Sequence, residues 1–220
     1  MSSHPQAINS LVFFDLETTG LKDPEITELS FCSIDRSQFL NCQRGQFPRI
    51  TNRLNLCIKP SKRIEPKASE ITKLDNCNLD HQSPFDEDVG NIVLSFLNRL
   101  KKPVCLVAHN GFKFDFPILL AEFSRLYGIM DFPSDIFVVD SLAIFRNLSQ
   151  SPSSPNLKNI RLSFALKNVY NRIYGRDPEE LHEAEADVKV LLLSAIATPE
   201  EFVDAVDRNA KPFDFVQKSW

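Results

Sequence analysis

Apolar residues run almost unbroken through Leu11–Glu17 (LVFFDLE) and stop at the TTG that follows, which predicts a buried strand closed by a turn. Ile26–Asp35 (ITELSFCSID) alternates more openly and predicts a second strand. In Arg53–Pro60 the alternation is strict: Leu54, Leu56 and Ile58 share one face, and Pro60 ends the run. The intervening Arg36–Asn52 is polar, carries Gly45 and Pro48, and reads as a connection. Three strands joined this way predict an antiparallel meander.

The period then changes. Asp86–Lys102 spaces Val89, Ile92, Val93, Phe96, Leu97 and Leu100 at helical intervals, and Pro103 follows its end. Pro103–Asn110 predicts another buried strand, Phe116–Tyr127 a helix with Pro117 in its first turn, and Asp135–Leu142 a fifth strand. Ser149–Asn159 is rich in Pro and Ser and predicts a mobile loop. Three further helices are predicted over Leu162–Tyr174, Glu183–Ala197 and Pro199–Arg208. A meander followed by strands alternating with helices predicts an α/β fold, a mixed five-stranded sheet with helices packed on it. The expected organisation is a single domain over residues 11–210, with tails at 1–10 and 211–220.

Composition adds bounds. The 220 residues, 43% hydrophobic and 25% charged, suit one domain with a continuous core and exclude wholesale disorder. The five cysteines are scattered, odd in number and without a CxxC pair, which argues against a disulfide framework and a structural zinc site. No basic-then-apolar leader opens the chain, and no apolar run approaches the roughly 20 residues that cross a bilayer. These features predict an intracellular protein, nuclear or cytoplasmic, neither secreted nor membrane-bound. The net charge of −4 taken alone counts against a nucleic-acid partner. Its distribution does not: Arg44–Lys73 holds eight basic residues against Glu65 and Glu70, and Lys158–Arg176 holds five with no acid. Acidic runs occupy Asp75–Asp88 and Asp177–Asp187, so a basic phosphate-binding surface can lie beside an acidic metal-binding one.

Three short motifs carry candidate chemistry. Asp15 and Glu17 stand at i and i+2 on an apolar strand and therefore point to the same side. Carboxylates paired there repel each other unless a cation neutralises them, and hard oxygen ligands suit magnesium or manganese. Asp115, in HNGFKFDFP, falls at a helix start, where taken alone it is more often a cap than a catalytic residue; the turn at Asn110 and Gly111 would carry it to the same sheet edge as the first pair. His182 and Asp187 lie in LHEAEAD; read as one helix, the segment puts His182 at its start and Asp187 five residues on, within reach of a common site.

Each motif recurs by chance; together and in this order they do not. The chain resembles the DEDDh exonucleases, a ribonuclease H-like superfamily named for four acids and a histidine, from about Leu11 to Ile196. Within it, FFDLETTGL, ITELSF, HNGFKFDFP and YNRIYG look most like the three-prime repair exonucleases, the TREX group. The resemblance implies a ribonuclease H-like fold and metal-dependent 3′→5′ hydrolysis of DNA to nucleoside 5′-monophosphates. An RNA-directed exonuclease of the same superfamily and a catalytically idle binding module are the alternatives. It further implies two magnesium ions, replaceable by manganese, held by Asp15, Glu17, Asp115 and Asp187, with His182 as general base. DNA 3′ ends would meet Thr18, Leu21, Ile71, Asn110 and Phe114; core packing is the competing role for Leu21 and Ile71. Phe114 stands where some relatives carry Tyr. Lys158 and Arg161 are expected to contact phosphates, and Arg53–Ile58, as a sheet edge, to join two copies into a homodimer.

Overall fold

A computed structural model describes residues 7–128, 133–149, 162–179 and 181–216. Among these are six strands, β1 (Ser10–Thr18), β2 (Ile26–Asp35), β3 (Asn52–Cys57), β4 (Val104–Ala108), β5 (Ile136–Asp140) and β6 (Lys211–Pro212). They form one sheet in the order β3-β2-β1-β4-β5-β6. The expected meander is there: β1 pairs antiparallel with β2, and β2 with β3. Strands β4 and β5 continue the sheet in parallel with β1.

Among the described residues eight α-helices accompany the sheet: α1 (Arg36–Leu40), α2 (Pro66–Thr72), α3 (Glu87–Asn98), α4 (Asp115–Tyr127), α5 (Ser141–Ser149), α6 (Leu166–Tyr174), α7 (Ala184–Ala195) and α8 (Pro199–Asn209). Two cores lie on opposite faces. Val12, Phe14 and Leu16 of β1 meet Val93 and Leu97 of α3 and Phe116 and Phe123 of α4 on one face. Leu11 and Phe13 meet Val188 and Leu191 of α7 and Phe202 of α8 on the other. The period-2 alternation of a strand buried on both sides produces this division.

The structure corrects the sequence reading at both ends of the chain and in the connections between strands. The sheet has a sixth strand, because Lys211–Pro212 pairs antiparallel with β5. Residues 211–216 are therefore built into the domain rather than forming a tail, and Phe213 and Val216 are buried. At the other end Ile8 is buried too, and its N–H donates to Asp207 Oδ1 at 3.0 Å. The polar connection after β2 contains α1, whose N-terminus is capped by the Asp35 carboxylate at 2.8 Å from the Ser37 N–H. Apart from Ser149, the end of α5, the Pro/Ser-rich segment Ser149–Asn159 lies outside the described residues. No described helix is long and apolar enough to cross a membrane.

Candidate active site

Strand alternation delivers the first two acids. Leu11 and Phe13 face the α7 side, so Asp15 and Glu17 continue that row past the last apolar side chain toward the end of β1. Their cross-strand partners on β2 are Ser30 and Glu28, which share the same face. Asp115 arrives from α4. It is the first helical residue, with Phe114 in the capping position, and is 3% exposed. Capping is therefore not its role. The turn before it depends on tight backbone geometry: Asn110 is left-handed at φ 64°, and its N–H donates to Asp140 Oδ1 at 2.9 Å. A Cβ on Gly111 would sit 2.7 Å from both the Ala108 Cβ and the Phe116 ring, so glycine is required there.

His182 and Asp187 do not share one helix. α7 starts at Ala184, and His182 lies in the bend before it at φ 69°, a conformation that residues bearing a side chain adopt when surrounding contacts hold them. One such contact is local: the His182 N–H donates to Asp187 Oδ2 at 2.9 Å. The bend turns the exposed imidazole back over the strand end. Ligand atoms of Glu17, His182 and Asp187 consequently lie within 4.8 Å of one another, a grouping that fits a cation. The sequence puts His182 within reach of a common site with Asp187, as a proton acceptor and not as a metal ligand.

Electrostatics define the chemistry of the cluster. Burial, then the charges of Asp115, Asp187, Glu17 and Glu28, push Asp15 well above the carboxylate range. Burial first, then Asp187, Glu28 and Asp115, raise Glu17 to about 8. Asp115 rises to about 7 through burial, opposed by backbone N–H groups including that of Leu16, with Asp140 and Asp187 adding repulsion. Asp187 is raised by burial, while the His182 N–H and the nearby imidazole pull it down. Four carboxylates forced together with no described lysine or arginine paired to any of them favour protons or metal cations; all-oxygen donors of this kind suit a hard divalent ion. The residues fit such an ion.

The predicted substrate residues differ in their exposure. Leu21 is 82% and Ile71 41% exposed, which removes core packing as their role. The Glu65 N–H donates to the Thr19 carbonyl at 2.7 Å, tying the start of α2, which carries Ile71, to the loop that carries Leu21. Thr18 is buried and donates through Oγ1 to the Gly20 carbonyl at 3.0 Å, so its hydroxyl shapes the turn. Phe114 is half-buried against the α4 core. Lys158 and Arg161 lie outside the described residues. Sequence reasoning missed a ring of supporting residues. Asp140 holds the N–H groups of Asn110 and Leu142, each at 2.9 Å. His109 bridges Ser141 Oγ at 2.9 Å and the Phe164 carbonyl at 2.8 Å, and Glu28 reaches the Ala184 N–H at 3.0 Å. Except for the Asp140–Leu142 bond, these contacts are far apart in sequence, and no local pattern announces them.

A two-faced sheet with acids clustered at one strand end suits divalent-cation chemistry, and residues 12–193 match the exonuclease family (RNase_T); the chain belongs to that family. Among curated proteins it is similar to three-prime repair exonuclease 1 of Homo sapiens, 36% identical over 97% of this chain and 71% of that protein. It is similar also to three prime repair exonuclease 2 of Mus musculus, 35% identical over 98% of this chain and 94% of that protein. Among solved structures, the zinc-bound form of the E. coli ExoI–ssDNA complex shares the fold, with TM-score 0.69 and 20% identity over 90% of this chain and 43% of that one.

Proposed function

We propose that this chain removes nucleotides one at a time from the 3′ end of DNA, releasing nucleoside 5′-monophosphates, with divalent cations at the Asp15–Glu17–Asp115–Asp187 cluster. The observation that carries the reading is the convergence of Glu17, His182 and Asp187 within 4.8 Å of one another, with the half-buried Asp15 and the buried Asp115 adding their charge. Asp15, Glu17, Asp115 and Asp187 would hold the ions; magnesium fits these donors and manganese would substitute. When bound, the ions supply positive charge against the charge that gathers on the phosphate as it is cleaved.

The remaining work falls to the chain's own groups. An imidazole nitrogen of His182, exposed at the mouth of the site, accepts the proton of the attacking water. Leu21 and Ile71 present apolar surface to the terminal bases, Asn110 and Phe114 flank the strand being cut, and Lys158 and Arg161 meet phosphates irrespective of base. The names of the curated relatives support action at 3′ ends, and the ExoI–ssDNA complex supports a single-stranded substrate. β3 lies at the edge of the sheet, which supports pairing with a second copy as a homodimer. Free thiols at all five cysteines support a reducing, intracellular setting.

The test uses matched DNA and RNA oligonucleotides labelled on the 3′-terminal nucleotide, with magnesium or with chelator. Early release of labelled 5′-monophosphate from DNA, abolished by chelator, is expected. Faster release from RNA would move the substrate class, and no release from either would leave a binding module.

A further inference from the structure

Glu28 is a fifth acid in a place already crowded by repulsion. It lies directly across from Glu17 in the β1–β2 register, on the same face, and its charge raises both Glu17 and Asp15. An acid there opposes the charge balance of the site, so its presence calls for another reason. It is not part of the cation-sized grouping, which among the described residues contains Glu17, His182 and Asp187.

Its carboxylate is engaged elsewhere. Glu28 Oε2 accepts the Ala184 N–H at 3.0 Å across 156 positions of sequence. Ala184 is the first residue of α7, and the residue at the capping position, Glu183, makes no side-chain bond to the helix. A helix start leaves its first N–H groups without partners, and these are ordinarily met by the side chain at the cap. Here a neighbouring strand provides the cap. The contact falls midway between His182, left-handed two residues before Ala184, and Asp187, three residues after it. The second bond of the entry, from the His182 N–H to Asp187 Oδ2, closes the bend from inside. The two together fix the direction in which the chain enters α7, and with it the path of the imidazole.

We propose that Glu28 is a positioning residue for the active site, capping α7 from β2 through the Ala184 N–H and so holding His182 and Asp187 in register with Glu17. The proposal rests on the reading of His182 and Asp187 as the catalytic pair. What matters is the acceptor oxygen and its reach, not the charge, which separates this role from that of a fifth metal ligand. Glu28→Gln keeps an oxygen at the same reach; Glu28→Asp withdraws it by one methylene; Glu28→Ala removes it.

Two measurements on the full chain decide it. In metal-free protein without DNA, amide exchange at Ala184 should be slow in wild type and Glu28→Gln and fast in Glu28→Ala and Glu28→Asp. In steady-state cleavage with magnesium, Glu28→Ala and Glu28→Asp should lose about 10–100-fold in kcat, the scale of a displacement near 1 Å, with KM for DNA unchanged. Glu28→Gln should keep most of the wild-type kcat. The Asp variant carries the test where Ala fails to fold. Equal exchange at Ala184 in all variants, a Gln variant as inactive as Ala, or an Ala variant with wild-type kcat would each overturn the proposal. An inactive wild type would sink the nuclease reading alone, because amide exchange reports the cap without catalysis.

Discussion

Replacing Glu17 by Gln in the metal-free protein should stabilise it, and only at high pH. Glu17 is raised from the ordinary 4.5 to about 8, by burial first and then by Asp187, Glu28 and Asp115. Between those two values the folded chain keeps a proton on Glu17 that the unfolded chain has already released. Stability therefore falls as pH rises through that window, and the full penalty is present above about pH 8. At about 1.4 kcal/mol per pKa unit the upper bound is about 5 kcal/mol. The repulsion is shared with acids that titrate together with Glu17, which brings the expected net to about 2–3 kcal/mol. Glu17→Gln removes the charge and keeps the shape. Thermal melts in chelator should place the variant roughly 4–12 °C above wild type at pH 8.5 and close to it at pH 5, using about 2–4 °C per kcal/mol for a domain of this size. Magnesium should close the gap at pH 8.5 by stabilising wild type, since a cation binds the deprotonated acids. A variant that melts below wild type at pH 8.5, or gains equally at both pH values, would refute the claim that carboxylate repulsion sets the energetics of the site.

Three other outcomes are expected. Asp187→Asn should abolish cleavage while the metal-free melting temperature holds or rises, read by melting curves beside a nuclease assay; full activity would remove Asp187 from the site. His182→Ala should cut turnover by roughly 10²–10⁴-fold, the usual range for a positioned base, and leave DNA affinity largely intact in a binding titration; near-normal turnover would contradict its role. Leu21→Ala with Ile71→Ala should weaken cleavage of DNA without lowering stability, because both side chains are exposed; a large drop in melting temperature would return them to a structural role.

What was legible in the sequence followed from local periodicity. β1 and β2 alternate between two buried faces, and α3 and α4 repeat apolar residues at helical spacing, so their existence could be read within a residue or a few of their ends. The acids could be found because Asp15 and Glu17 interrupt an apolar strand and because the three motifs occur together and in order. The rest depends on tertiary contact. β6 is two residues long and exists only because β5 offers it a partner. α2 is a single polar stretch of seven residues with Pro66 in its first turn, and α5 begins directly at the end of β5, where a strand pattern runs on into helix. The helix expected from Glu183 leaves His182 at its edge, but the left-handed bend there, closed by the bond to Asp187, depends on the folded contact. The exposure of Leu21 and Ile71 is likewise a property of the folded chain, since each is an ordinary apolar residue in sequence.

The central claim, that these acids form a divalent-cation site for stepwise hydrolysis from a 3′ end, is tested most directly by a time course on single-stranded DNA labelled at its 5′ end and resolved to single nucleotides. The account predicts a ladder shortening one nucleotide at a time with magnesium or manganese, absent in chelator and absent in Asp15→Asn. Internal fragments from the earliest times, shortening that persists in chelator, or a full ladder from Asp15→Asn would contradict it.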